Sequence, residues 1–277
     1  MTQAERAMQL LKLHHADAPL LLINAWDAAS ARIVEQAGFP AIATTSAGVA
    51  NALGYADGQH LPWTEMVEVI RRIAESVRVP VTADIEAGFA ADEEKLEWAL
   101  EQVLEVGAVG INLEDAIPGA AHGPLYSLEE QVARIQTVRR ITDKLKVHLV
   151  INARTDAYWE KGAQPDAALK TTLQRGHAYL AAGADCIFVP GLRDPEQIRS
   201  VITEWKAPVN VLAGVGVPSV PELAKLGVKR VSFGSGPMRA AMGLLRRIAQ
   251  EATSTGTYNA MTQGAVAYEE MQGLMAK

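Results

Sequence analysis

The chain has 277 residues, of which 49% are hydrophobic, so it can bury the core of one large domain or of two small ones. This composition excludes a disordered chain and a coiled coil. The 32 acidic residues outnumber the 26 basic ones, the formal charge is -6, and we therefore expect no nucleic-acid partner. The single cysteine, Cys186, excludes an internal disulfide and a multi-thiolate metal site and is typical of a reducing compartment.

No segment indicates export or membrane insertion. The first nineteen residues include Glu5, Arg6, Lys12 and Asp17 and lack an apolar stretch of signal-peptide length. No uncharged apolar run reaches the roughly 18 to 20 residues needed to cross a bilayer. We therefore expect a soluble, cytoplasmic protein with no membrane partner.

Eight short runs of apolar and β-branched residues predict strands. The runs are nearly continuous rather than alternating with polar residues, which is typical of a parallel sheet covered on both faces. They lie at residues 20–24, 41–45, 80–84, 108–114, 147–154, 186–190, 208–213 and 230–234. Parallel pairing requires crossover connections, and apolar residues at helical spacing predict crossover helices at residues 62–77, 92–106, 127–141, 165–182 and 194–205.

Several of these helices have marked ends. Ser127 with Glu130 three residues later predicts a capping box, and Asp194 before Pro195 places an acceptor at the N-cap and a proline at the first helical position. Four helices end in a glycine just before an apolar strand, which suits the left-handed backbone of a helix C-terminus. These glycines are Gly38, Gly107, Gly183 and Gly227.

Eight repeated strand–helix units predict a TIM (β/α)8 barrel, an α/β fold that typically has about 250 residues. No linker divides the chain, so we expect one barrel domain over residues 1–277 with extra helices at the N-terminus and the C-terminus. Helical segments are predicted at residues 238–252 and 259–275, and His14 and His15 are expected on the surface. A doubly wound open sheet is the alternative, but no G-x-G-x-x-G follows the first strand.

Charged residues gather at the predicted carboxyl ends of three strands, where a barrel enzyme has its active site. Strand three ends with Asp84 and Glu86, strand four with Glu114, and strand five with Arg154 and Asp156. Because side chains alternate along a strand, Asp84 and Glu86 are expected to share a face. Close carboxylates would repel unless Arg154 or a cation neutralised them, and oxygen ligands favour Mg²⁺ or Mn²⁺ over zinc. The alternative is a set of solvated charges that pair with Arg154.

At these residues the chain resembles the isocitrate lyase and phosphoenolpyruvate mutase superfamily over nearly its whole length. The resemblance is carried, in order, by A-G-F-P-A-I-A-T-T-S-A-G-V-A, L-G-Y-A-D-G, V-T-A-D-I-E-A-G-F, G-I-N-L-E-D and I-N-A-R-T-D-A-Y. It implies an enzyme that uses Mg²⁺, or Mn²⁺, to stabilise the enolate of a small 2-oxo acid as a neighbouring bond breaks. Substrates of this kind include α-keto acids, dicarboxylates and tricarboxylates.

The resemblance also implies roles for particular residues. Asp84 would bind the metal directly, whereas Glu86 and Glu114 would hold it largely through water. Arg154 would grip a substrate carboxylate or phosphonate, and Asp57 matches a further acid near the metal.

Four other positions complete the predicted site. By resemblance, Thr45, Ser46 and Ala47 form the loop that cradles the carboxylate end of the keto acid. Asn210 in strand seven either contacts substrate or satisfies backbone groups. His122 lies in the loop after strand four and is either a general acid or a solvated side chain.

That loop departs from the family pattern. Isocitrate and methylisocitrate lyases carry K-K-C-G-H or K-R-C-G-H there, with cysteine as the proton donor, whereas this chain has D-A-I-P-G-A-A-H-G-P-L-Y. The asparagine-containing loop of phosphonopyruvate-handling members is missing too. Cys186 lies within a predicted strand and is expected to be a buried, inert thiol. Classical isocitrate cleavage is therefore disfavoured.

The leading hypothesis is a Mg²⁺-dependent lyase that cleaves a carbon–carbon bond next to an α-keto acid, including decarboxylation of oxaloacetate-like substrates. Decarboxylation suits the missing cysteine, because loss of carbon dioxide needs no acid on the departing fragment. The alternatives are phosphorus–carbon chemistry on phosphonopyruvate-like substrates, hydroxymethyl transfer to a keto acid, and a barrel that binds keto acids without catalysis. Members of this family commonly exchange their last barrel helix between subunits, so residues 236–277 imply a homodimer or a homotetramer.

Overall fold

A computed structural model describes residues 1–119 and 123–276, and its centre is a closed barrel of parallel strands. The strands are β1 (Leu20–Leu22), β2 (Asn24–Ala25), β3 (Ile42–Thr44), β4 (Val81–Asp84), β5 (Gly110–Glu114), β6 (Val150–Arg154), β7 (Cys186–Phe188), β8 (Val209–Leu212) and β9 (Arg230–Ser232). Because β1 pairs with β9 and β2 pairs with β3, the sheet closes, and β1 and β2 are two parts of one first strand. The predicted TIM (β/α)8 barrel is confirmed.

Asn24 joins the two sides of the break in the first strand. Its Nδ2 group donates a hydrogen bond to the Thr44 carbonyl at 2.7 Å, across to β3. Its Oδ1 atom accepts from the Phe233 and Gly234 amides at 2.9 and 2.8 Å, just after β9. This buried side chain therefore replaces ladder hydrogen bonds at the seam of the barrel.

Twelve helices surround or extend the barrel in the described ranges. They are α1 (Gln3–Leu13), α2 (Ala28–Gln36), α3 (Ser46–Ala52), α4 (Trp63–Ser76), α5 (Glu93–Glu105), α6 (Leu128–Leu145), α7 (Pro165–Ala181), α8 (Pro195–Trp205), α9 (Val220–Leu226), α10 (Gly236–Ser254), α11 (Asn259–Thr262) and α12 (Tyr268–Met275). The capping box at Ser127 and the N-cap at Asp194 are both present. The glycines at positions 38, 107, 183 and 227 all have positive φ, as expected.

The prediction of one helix over residues 259–275 is wrong. The chain forms the short α11, leaves the helical conformation after Thr262, and resumes in α12. Gly264 has a φ of 75°, a left-handed conformation that ends a helix rather than continuing it. The left-handed conformation at Gly264 therefore divides the predicted helix in two.

Helix α1 closes the amino end of the barrel. Ala7 and Leu10 are fully buried and pack against Leu20, Leu22 and other buried residues of the barrel strands. The expectation of a surface position for His14 is wrong: its side chain is fully buried, and its Nδ1 atom lies 2.8 Å from the Leu10 carbonyl oxygen. His14 follows Ala7 and Leu10 at helical spacing, so the inward face of α1 carries it into the core.

Candidate active site

A cavity lies at the carboxyl ends of the strands, where the sequence placed the site. It has two adjoining lobes of about 210 Å³ each, which share Ser46, Asp57, Arg154 and Trp159. Four more acidic side chains line one or other lobe: Asp84, Glu86, Glu114 and Asp156. The predicted acids and arginine are therefore brought together around one cavity, whereas His122 lies outside the described residues.

Asp84, the last residue of β4, is held tightly by its neighbours. Its Oδ2 atom accepts hydrogen bonds from the Ser46 amide at 3.0 Å and the Ser46 hydroxyl at 2.8 Å, and its own amide donates to Thr44 Oγ1 at 2.8 Å. Its Oδ1 atom is buried and has no hydrogen-bond partner among the described residues. A buried carboxylate oxygen without a donor is costly, so this atom is suited to a cation.

Glu86 reaches the cavity by a different route from the one expected. Strand β4 ends at Asp84, and Glu86 has a φ of 49° in the following turn, so strand alternation does not set its direction. Its side chain nevertheless lines the cavity next to the other acids. Burial and the charges of Asp57 and Asp84 raise the pKa of Glu86 to about 8.

Arg154 ends β6 with two carboxylates bound to its guanidinium group. Its Nε and Nη2 atoms donate to Asp156 Oδ1 and Oδ2 at 2.6 and 2.7 Å, and its Nη1 atom lies 2.7 Å from Glu114 Oε2. Although burial lowers the pKa of Arg154, Asp156 and Glu114 raise it well above its usual range. Since a guanidinium has five N–H groups, two remain for a substrate anion.

Among the described residues, acidic side chains outnumber basic ones around the cavity. Burial raises the pKa of Glu114 although Arg154 lowers it, and desolvation with the Asp84 charge raises the pKa of Asp57. Among the described residues no group of three His, Cys, Asp or Glu side chains forms a ready-made metal site. Mg²⁺ commonly uses one or two protein carboxylates and keeps several waters. One direct ligand, Asp84, with the other acids acting through water, therefore fits a hard divalent cation.

The segment after β3 has two roles: it binds Asp84 and it lines the cavity. Thr45 Oγ1 accepts from the Gly48 amide at 3.3 Å and caps α3, while both donors of Ser46 are bound to Asp84. Thr45, Ser46 and Ala47 all line the second lobe. Asn210 is fully buried beside Ser232, whose hydroxyl donates to it at 3.2 Å, and it is not among the residues that line either lobe.

A buried cluster that the sequence did not reveal lies behind Arg154. Asp115 Oδ1 accepts from the Asp156 amide at 2.9 Å, and its Oδ2 atom accepts from the Tyr179 hydroxyl at 2.7 Å and from Arg175 Nη1 at 3.1 Å. Arg175 also donates to the Tyr126 carbonyl at 2.8 Å, at the base of the loop that follows β5. In the sequence, only the position of Asp115 next to Glu114 at the end of G-I-N-L-E-D pointed to this residue. The cluster fixes the backbone of Asp156, which in turn holds Arg154.

Two more residues complete the description of the cavity. Trp159 faces the Arg154 guanidinium, with 5.0 Å between the Arg154 Cζ atom and the ring centroid. Cys186 is fully buried below the cavity, and burial raises the pKa of its thiol to about 12, as expected for an inert thiol.

Comparison with known proteins gives a consistent result. Residues 10–253 match the family model of phosphoenolpyruvate phosphomutase. The chain is 30% identical over 251 residues to 2-methylisocitrate lyase of Shewanella oneidensis, covering 86% of this chain and 82% of that protein. It is 30% identical over 197 residues to oxaloacetate decarboxylase of Bradyrhizobium diazoefficiens, covering 69% and 65% respectively. A crystal structure from Burkholderia cenocepacia, described as a lyase or mutase, superposes with a TM-score of 0.91 at 36% identity and covers 99% of this chain and 97% of that one.

Proposed function

This chain belongs to the phosphoenolpyruvate mutase and isocitrate lyase superfamily, and on that basis we propose that it is a Mg²⁺-dependent lyase. The proposed reaction cleaves a carbon–carbon bond next to the keto group of a small 2-oxo acid. Decarboxylation of an oxaloacetate-type substrate is the favoured example, in keeping with the activities named for its relatives.

The observation that carries the proposal is the Oδ1 atom of Asp84, a buried carboxylate oxygen that has no partner among the residues the structure describes and lies in a cavity lined by other acids. Mg²⁺ held there would act as a Lewis acid on the keto oxygen of the substrate. Ser46 fixes the orientation of Asp84 by binding its other oxygen. The two remaining N–H groups of Arg154 are available to bind a substrate carboxylate.

Decarboxylation also suits the side chains that line the cavity. The described residues around the two lobes include no cysteine, the residue type that protonates the departing fragment in the isocitrate and methylisocitrate lyases. Loss of carbon dioxide needs no such acid, because the electron pair of the broken bond remains on the keto-acid fragment. Trp159, Phe188 and Ile117 add aromatic and aliphatic surface to the two lobes.

Proton and phosphorus NMR with oxaloacetate, methylisocitrate and phosphonopyruvate, each with excess Mg²⁺ and with chelator, tests the proposal. We expect metal-dependent carbon–carbon cleavage products in the wild type and none beyond the spontaneous rate in Asp84→Ala. Change confined to the phosphorus spectrum would instead support phosphorus–carbon chemistry. No change with any substrate would contradict the lyase proposal for these three compounds.

We also propose that α10 to α12 dock on a second copy of the chain, giving a homodimer or a homotetramer. Helix α10 has 19 residues but buries only Met238, and the exposed apolar side chains of this region include Leu245, Tyr258 and Tyr268. Leu21, on β1, is only partly buried. Light scattering tests the assembly, and a monomer of 29.7 kDa would contradict it.

A further inference from the structure

A fully buried arginine lies beneath the floor of the cavity. Arg230, the first residue of β9, has 0% of its surface exposed, and its Nη1 atom lies 3.2 Å from His14 Nε2. Its Nη2 atom donates to Asn112 Oδ1 at 3.1 Å, and its Nε atom has no hydrogen-bond partner in the described part of the chain. Within the described ranges, no carboxylate forms an ion pair with this guanidinium. Burying a cation without a counter-ion costs folding free energy, so stability alone does not explain this arginine.

The groups around Arg230 leave its charge uncompensated. Burial and the Arg230 charge lower the pKa of His14 to about 3, so His14 is neutral and accepts a hydrogen bond through Nε2 while Nδ1 donates to Leu10. Cys186 on β7 is also neutral, because burial raises the pKa of its thiol. Asp84 on β4 acts on Arg230 only at longer range. The positive potential of Arg230 therefore extends upward to the floor of the cavity.

Asn112 is the residue through which Arg230 reaches the cavity. It lies on β5 next to Asp84, with which it is paired in register, and it lines the second lobe. Its Oδ1 atom accepts from Asn152 Nδ2 at 2.8 Å and from Arg230 Nη2 at 3.1 Å. Because an arginine side chain only donates hydrogen bonds, the Asn112 atom that faces Arg230 must be the amide oxygen, which fixes the positions of Oδ1 and Nδ2. The Nδ2 group has no hydrogen bond to any described residue, and since Asn112 lines the second lobe, Nδ2 is the donor that this residue can offer to a ligand there.

We propose that Asn112 is a further catalytic residue of this site and that Arg230 is its positioning residue. The inference rests on the proposed function. In decarboxylation, the electron pair of the broken carbon–carbon bond forms the C2–C3 double bond of an enolate, and the π pair of the keto group moves onto the C2 oxygen as carbon dioxide leaves. A proton from water added at C3 later restores the ketone. The Asn112 Nδ2 group donates a hydrogen bond to that oxygen. The bond strengthens as negative charge grows there, and Arg230 both fixes the amide and adds positive potential beneath it.

Two variants separate these contributions, and oxalate serves as the probe because it is a planar dianion shaped like the enolate. Asn112→Leu removes the donor, and Arg230→Met removes the charge with little change in volume. We expect each to weaken oxalate binding at least tenfold, by calorimetry with excess Mg²⁺, and to lower kcat about 100-fold with KM changed less than threefold. Arg230→Lys should retain more activity than Arg230→Met because it keeps the charge.

Gln131→Met is the matched control. Gln131 is a fully buried amide on α6, neither of its polar atoms has a hydrogen-bond partner within residues 1–119 and 123–276, and it does not line either lobe. The Gln131→Met variant should keep the wild-type oxalate affinity and kcat. Replacing an uncompensated buried cation by methionine should not lower Tm. A purely structural role for Arg230 predicts the opposite pattern: a lower Tm with wild-type oxalate affinity and kcat in the folded molecules.

The outcomes distinguish this inference from the proposed function. Wild-type oxalate affinity and kcat in both Asn112→Leu and Arg230→Met would overturn the roles of these residues and leave the lyase proposal standing. A wild-type protein that neither binds oxalate with Mg²⁺ nor consumes oxaloacetate would overturn both. If Arg230→Met fails to fold, Asn112→Leu still tests the donor, and an unchanged kcat in that variant is sufficient to refute the inference.

Discussion

His14 should make the stability of the protein fall as the solution becomes mildly acidic. In the unfolded chain this imidazole has its ordinary pKa of 6.5, whereas burial and Arg230 lower the folded value to about 3. Between these values the unfolded state binds a proton that the folded state does not. The stabilisation is therefore fully present above pH 6.5 and is lost as the pH falls towards 3.

The size of the effect follows from the two pKa values. Each pH unit below 6.5 costs about 1.4 kcal/mol, so the loss from this residue is about 2 kcal/mol at pH 5. Urea unfolding at pH 7.5 and pH 5.0 measures it in the wild type and in His14→Gln, which cannot titrate. We expect the wild type to lose about 2 kcal/mol more than the variant over this interval.

His15→Gln is the control, because His15 is exposed and adjacent in sequence. It should show the same pH dependence as the wild type. If His14→Gln also runs parallel to the wild type, with no difference between the two pH values, the buried neutral state of His14 and its contact with Arg230 would be refuted.

Three further changes test other parts of the structure. Asp115→Asn should lower the free energy of unfolding by about 1–3 kcal/mol, because its new amide meets the donors of Arg175 and Tyr179; an unchanged urea midpoint would contradict this. Gly176→Ala should lower the free energy of unfolding by about 1–3 kcal/mol, because the new Cβ atom would lie 2.2 Å from Trp205 Cζ2. Gly214→Ala is the control: its new Cβ atom meets no atom within 4 Å, so the urea midpoint should not change. His122→Ala should keep most of the turnover, and complete loss would establish a catalytic histidine.

The barrel could be predicted because its signals are local. Apolar runs specify parallel strands, and glycines such as Gly107 and Gly183 mark helix ends whatever packs beyond them. Other features depended on the assembled fold. His14 lies on the apolar face of α1, a pattern visible in the sequence, but its burial depends on that face closing the barrel. The break after Leu22 depends on Asn24 bridging β3 and β9.

The acids of the site could be located because strand ends converge in a parallel barrel, which places Asp84 and Glu114 together. Their partners could not be predicted, because they come from distant segments. Ser46 is 38 positions from Asp84, and Arg230 is 118 positions from Asn112. Sequence patterns indicate which residues lie on a strand, but they do not give the rotamers and contacts that leave one oxygen of Asp84 without a hydrogen bond from any described residue.

The central claim is that Asp84 is the direct protein ligand of a divalent cation in this cavity. Electron paramagnetic resonance of Mn²⁺ titrated into the protein with oxalate present measures this directly, in the wild type and in Asp84→Asn. We expect one tightly bound Mn²⁺ per chain in the wild type and at least a hundredfold weaker binding in the variant. Equal Mn²⁺ binding by the two proteins would contradict it.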